Sequence, residues 1–109
     1  MRTVKRILYA GGSFLTGDRI AEAVLDYAAE LATAGKAARL DVPALDLEQR
    51  PARVSLVIGP ASQLLAEPVS VGQEMEDETF TQQLQRITRV LQRKSGTNDG
   101  GDAAAFAAL

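Results

Sequence analysis

Residues 9–31, "YAGGSFLTGDRIAEAVLDYAAEL", decide how this chain is read. A short apolar run reaches Gly11-Gly12, resumes as "SFLT", and gives way at Asp18 to a strongly patterned segment. Two short extended runs around a glycine pair predict a β-hairpin, because glycine accepts the positive φ of a primed turn. From Asp18 to Ala34 the spacing predicts a helix. Ile20, Val24, Tyr27 and Leu31 recur at steps of four, three and four and share one face. Arg19, Glu22, Asp26, Glu30 and Thr33 take the opposite side. Thr16 or Asp18 is placed to cap the helix start. With Thr16 as the cap, Leu15 and Ile20 stand at the two positions of a hydrophobic staple. Gly35 stands where a left-handed stop belongs.

The same helix carries a second stripe, Ala21, Leu25, Ala28 and Ala32, which widens its apolar arc past the usual ~100°. Such a stripe needs a cover, either the C-terminal helix of the chain or a second subunit. It is therefore the candidate interface, and a homo-oligomer, a dimer, is expected.

Outward from this core the pattern continues. "TVKRILY" (3–9) is a first strand. "AARLDVP" (37–43) alternates Ala38, Leu40 and Val42 against Ala37, Arg39 and Asp41. "PALDLEQRP" (43–51) reads as a loop bracketed by prolines. "ARVSLVIG" (52–59) is the strongest strand, with Val54, Leu56 and Ile58 on one face. "QLLAEPVSV" (63–71) adds a strand that Pro68 confines to an edge or a bulge. A second helix is predicted over 74–94, with Phe80, Leu84, Ile87 and Leu91 on one face and acids leading, bases trailing. The order predicts an α+β fold: a small antiparallel sheet of four to five strands with two helices on one face, a two-layer sandwich. Residues 1–94 form one domain, and 95–109, "SGTNDGGDAAAFAAL", a flexible tail that is a docking or degradation signal if it has a role.

Composition removes whole classes of chemistry. The 109 residues fit one domain. Cysteine and histidine are both absent, which excludes disulfides, thiolate–imidazole zinc sites, Cys nucleophiles and Ser–His pairs. A formal net charge of −2 gives no general pull toward nucleic acid or anionic membranes. The basic N-terminus leads into an apolar run far shorter than a signal-peptide core, so the expected location is cytoplasmic.

Several motifs come close to a function. Gly12 to Gly17 matches half of a phosphate-binding loop, but Asp18 and Arg19 stand where Lys and a hydroxyl residue belong, and a carboxylate there repels phosphate. "TNDGG" (97–101) has Thr97 where a nucleotidyl-transferring ligase needs its nucleophilic Lys. Glu74, Glu76, Asp77 and Glu78 cluster without calcium-loop spacing and read as a solvated helical turn. No metal or cofactor is expected, and no catalytic constellation stands out. Arg86, Arg89 and Arg93 form a basic stripe, the basis of an alternative reading as a nucleic-acid-associated regulator. Against it, the aromatics are few, five in all, and RNA platforms need them exposed. A third reading places an anion or small molecule at the helix start, near Gly12–Asp18.

The order of residues also resembles a group of small uncharacterised actinobacterial proteins. "RILYAGG…TGDRIAEAV…LA" and "RVSLVIGP" carry the likeness, on Leu8, Tyr9, Asp18, Ile20, Val54, Ser55, Leu56 and Pro60, over residues 5 to 70. That group implies a hairpin, a helix opening on an acid, a long antiparallel hairpin and a strand ending at Pro, with no activity attached. The leading expectation is a non-enzymatic, self-associating interaction module.

Overall fold

The glycine pair folds as a hairpin turn one residue earlier than the sequence suggests. In the computed structural model, which describes residues 2–46, 48–71 and 75–107 and side chains within 4–94, β1 (Arg2–Tyr9) pairs antiparallel with β2 (Gly12–Gly17). The turn is Ala10-Gly11, with φ of 53° and 83°, and Tyr9 pairs with Gly12. Two consecutive positive φ values define a type I′ turn, whose twist suits a two-residue hairpin. An alanine held left-handed is strained by about 1 kcal/mol. Ala10→Asn, which recreates the Asn-Gly turn, is therefore expected to stabilise the dilute protein by about 0.5–1 kcal/mol. A lowered thermal midpoint would show that the turn has another geometry.

The predicted α+β architecture is present. Five antiparallel strands lie in the order β4-β3-β2-β1-β5, with α1 (Asp18–Ala34) and α2 (Glu78–Ala107) on one face. β3 is Ala38–Leu45, β4 is Pro51–Ile58 and β5 is Leu64–Val71. The two edges are β4 and β5, so Pro68 sits on an edge strand, where a residue without an N–H is tolerated. Ile7, Val42, Leu56 and Ile58 from the sheet meet Ile20, Val24, Tyr27 and Leu31 from α1, all buried, in one core.

Pro43 belongs to β3, paired with Arg53, so the loop expected over 43–51 shrinks to 46–50. There Asp46 organises the turn: its Oδ1 accepts the N–H groups of Glu48 (2.8 Å) and Arg50 (2.9 Å). Those bonds, the Arg50 N–H first, hold its carboxyl below the usual aspartate value. A proline inside a non-edge strand interrupts the ladder on its nitrogen side. Accordingly, among the described residues β2 and β3 pair at Leu15–Leu45 alone. The Thr16 hydroxyl takes over, donating to the Pro43 carbonyl at 2.6 Å in a fully buried position. Tyr9 of β1 donates its hydroxyl to the Val57 carbonyl of β4.

Thr16 is thus engaged elsewhere, and neither it nor Asp18 caps α1. The cap is Gly17, with no side-chain bond of its own, and Asp18 is the first helical residue. With the cap shifted by one, Leu15 and Ile20 no longer hold the staple positions. At the other end Gly35 adopts φ 67° as predicted, and its N–H and that of Lys36 bond Ala32 O and Leu31 O, a Schellman motif.

Helix α2 starts at Glu78 rather than 74, capped by Asp77, whose Oδ1 accepts the Phe80 N–H at 3.1 Å. It runs alongside α1 in the same direction, since Arg19 pairs with Glu78 at one end and Gln92 bonds Glu30 further along. Its buried arc is rotated from the prediction. Leu84 is buried and Phe80 and Leu91 pack on the core, but Ile87 is 49% exposed while Thr81 and Thr88 are buried. Small threonines let two helices approach, and Thr88 satisfies its hydroxyl on the Leu84 carbonyl at 2.8 Å. The helix assignment continues past Lys94, where the sequence sets the end of the domain, to Ala107. Side chains of 95–107 lie outside those described, as do Glu74 and the last two residues of the tail.

Candidate functional site: the groove beside helix α1

At about 100° per residue, α1 presents three flanks. Ile20, Val24, Tyr27 and Leu31 point into the sheet core. Ala23, Asp26 and Glu30 lie toward α2: Glu30 bonds Gln92, and Ala23 and Asp26 share a cleft of about 270 Å³ with Thr88, Arg89 and Gln92. The remaining flank is the alanine stripe, and among the described residues none from α2 lines it.

Ala21 is fully buried in the core and has no surface to offer. Leu25 and Ala28 are half-buried and Ala32 is exposed; all three line a groove of about 880 Å³. Its walls come from elsewhere in the chain. One is the end of the β1–β2 hairpin, Leu8 to Ser13; the other is the approach to β5, Ser62 to Leu65. None of the described lining residues is acidic or basic, in a chain with 24% charged residues. Leu64 packs on the core beneath the groove, whereas Leu65, paired with Leu8, points to the other face of the sheet and is 58% exposed. The Ser62 hydroxyl is already used, accepting the Gly59 N–H at 2.9 Å.

The other candidates are dispersed or occupied. Gly12 to Gly17 is strand β2, laddered to β1, and forms no phosphate-binding loop. The start of α1 is closed by the chain itself: Glu76 Oε2 accepts the Arg19 N–H at 3.2 Å, and Glu78 pairs with the Arg19 guanidinium at 2.5 Å. A carboxylate therefore sits where the third reading placed an anion. The acidic cluster is accordingly more than a solvated turn, because it pins the starts of the two helices together. Among the described residues no cluster is arranged to hold a metal ion. Arg86, Arg89 and Arg93 are all exposed, but Arg89 turns to the cleft it shares with Asp26, while Arg86 lies on the helix side opposite Leu84. "TNDGG" falls in the part of α2 whose side chains are not described.

Elsewhere, the Asp41 carboxyl is held below its ordinary value by the Ser55 hydroxyl, 2.7 Å away, and by Arg39. Neither the groove nor the cleft beside α2 includes that exposed surface pairing. No helix among the described residues is long and apolar enough to cross a membrane.

What the fold and groove define is a small α+β domain with a five-stranded antiparallel sheet and an uncharged depression on one flank of its first helix. Compared with models of protein families, with curated proteins and with solved structures, the chain gives no match.

Proposed function

We propose that the chain is a non-enzymatic, cytoplasmic interaction module that associates with a second copy of itself through the groove on α1. The observation that carries this reading is the choice of flank made by α2. It packs on the Ala23–Asp26–Glu30 side and leaves Leu25, Ala28 and Ala32 lining an uncharged surface. Uncharged, partly apolar depressions bounded by polar surface are where association removes apolar area from water without desolvating a charge. The absence of His and Cys from the sequence and the chain's own carboxylate at the helix start support a binding role over a catalytic one.

The test is mass in solution, by sedimentation from low to high micromolar protein. A concentration-dependent dimer is expected. Leu25→Arg places a charge on each side of the contact, and like charges brought together cost several kcal/mol. This variant is expected to remain folded, because the long side chain can reach water from a half-buried position, and to sediment as a monomer. A native chain of constant monomer mass at every concentration would refute the proposal.

A further inference from the structure

The flank of α1 that faces α2 carries a second hollow, and its chemistry differs from that of the groove. We infer that this cleft of about 270 Å³ is a binding site for a small zwitterion of the amino-acid class, whose ammonium meets Asp26 and whose carboxylate meets Arg89.

The hollow follows from what the two helices place at their contact. From α1 come Ala23 and Asp26; from α2 come Gln85, Thr88, Arg89 and Gln92, spaced to share one helical side. Ala23 and Thr88 are small, 2% and 5% exposed, and form the floor. Side chains of that size let the helices approach without filling the space above them. Gln92 Nε2 donates to Glu30 at 3.2 Å and ties the helices together at one end.

The walls carry opposite charge. Asp26 and Arg89 are both exposed and line the same cleft, yet among the described residues neither makes an ion pair. Arg6, Arg19, Arg39 and Arg50, by contrast, each pair with a carboxylate. An acid and a base held apart across a hollow are placed to bond the two ends of a molecule that carries both charges.

The neighbouring groups match those ends. The Thr88 hydroxyl spends its proton on the Leu84 carbonyl at 2.8 Å, so toward the cleft it can only accept, which suits an ammonium beside Asp26. Arg89 presents a fork of N–H donors to a carboxylate, and Gln85, one turn earlier on the same side, adds an amide donor. A ligand with a single charge leaves one wall unpaired. Ligand pockets span roughly 300–1,000 Å³. This cleft lies at the small end, so its ligand has few heavy atoms and binds in the millimolar range. It sits on the α2 side of α1, so the inference stands apart from self-association through the groove.

The experiment titrates the isotope-labelled full chain with glycine, β-alanine and γ-aminobutyrate, which step up the distance between the charges, and follows amide chemical shifts. At least one probe is expected to give saturable shifts at residues 23–30 and 85–92 below about 50 mM. An equal mixture of acetate and methylammonium offers the same charges unlinked and is expected to bind at least about tenfold more weakly. Arg89→Gln and Asp26→Asn each remove one charge from an exposed position. Each is expected to weaken binding about tenfold with circular dichroism unchanged. Leu25→Arg, on the other flank, should leave the titration as it is. No saturation by any of the three probes overturns the site. So does equal binding of the unlinked mixture, or undiminished binding by both charge-removing variants. A native chain that is monomeric yet binds a probe refutes the groove reading alone.

Discussion

Gly17→Ala is expected to destabilise the fold by about 2–4 kcal/mol, summing an overpacking cost with the loss of a favourable cap residue. The reason is unrelated to backbone freedom, because Gly17 has φ −65° and ψ 156°, a conformation any residue adopts. It lies in what stands over the residue. A Cβ built there would run into the Met75 carbonyl oxygen and come within 2.5 Å of the Glu76 carboxylate. The side chain of Glu76 can swing away, whereas a backbone carbonyl cannot move without lifting the segment that leads into α2. That segment delivers Glu76 to the Arg19 N–H and Glu78 to the Arg19 guanidinium, so the helix starts separate together. Denaturant midpoints of Gly17→Ala, with and without Glu76→Ala, separate the two contributions. Glu76→Ala removes the carboxylate and leaves the carbonyl, and the double variant is expected to stay as unstable as Gly17→Ala alone. A neutral Gly17→Ala would mean that residues 75–76 are not held against the helix.

This closure bears on function. The strand–turn–helix setting of residues 9–31 invites a phosphate-site reading. Asp18 and Arg19 argue against it in the sequence, and Glu76 argues against it in space, by supplying the negative charge that the first turn of α1 attracts. The sequence carries no sign of this, because Glu76 lies 57 residues beyond Arg19 in the chain. Long-range caps leave no local pattern.

Elsewhere the legible and the illegible divide along the same line. The alternations Ala38–Leu40–Val42 and Val54–Leu56–Ile58 each mark a strand, since period two is a local property, while the register that sets Leu40 opposite Leu56 comes from the fold. The Ile20–Val24–Tyr27–Leu31 face and the Gly35 stop are equally local. The hairpin turn is displaced by one residue because the rule favours two glycines, while the register instead places Ala10 at a positive φ. Ile87 is exposed in place of Thr81 and Thr88 because the partner of α2 is α1, and helix–helix proximity selects small residues that hydropathy ranks below isoleucine. The groove was half legible. Its floor is a periodic stripe visible in any helical projection; its walls come from the hairpin end and from residues 62–65, which only the tertiary fold brings alongside.

Thr16→Val makes the second large effect, an expected loss of about 1–3 kcal/mol for a shape-conserving change that leaves a buried carbonyl without its donor. Thr16 is fully buried, and its hydroxyl donates to Pro43 O at 2.6 Å. Ordinarily a ladder tolerates the loss of one bond. Here the ladder is already minimal: among the described residues β2 meets β3 in register at Leu15–Leu45 alone, and Pro43 has no N–H to contribute. The threonine hydroxyl therefore joins two halves of the sheet, β5-β1-β2 and β3-β4, next to the point where the proline interrupts the backbone. A valine fills the same volume, so packing is preserved and the measured change isolates the hydrogen bond. Two readouts follow. The denaturant midpoint falls, and amide exchange quickens across β3 and β4 relative to β1 and β5, because the β3–β4 hairpin loses its side-chain tie to β2. Thr16→Ser, which retains the donor, should recover most of the exchange protection. If Thr16→Val matches the native chain in both measurements, the two halves are held by the core packing of Val42, Leu56 and Ile58 on α1 without help from the hydroxyl.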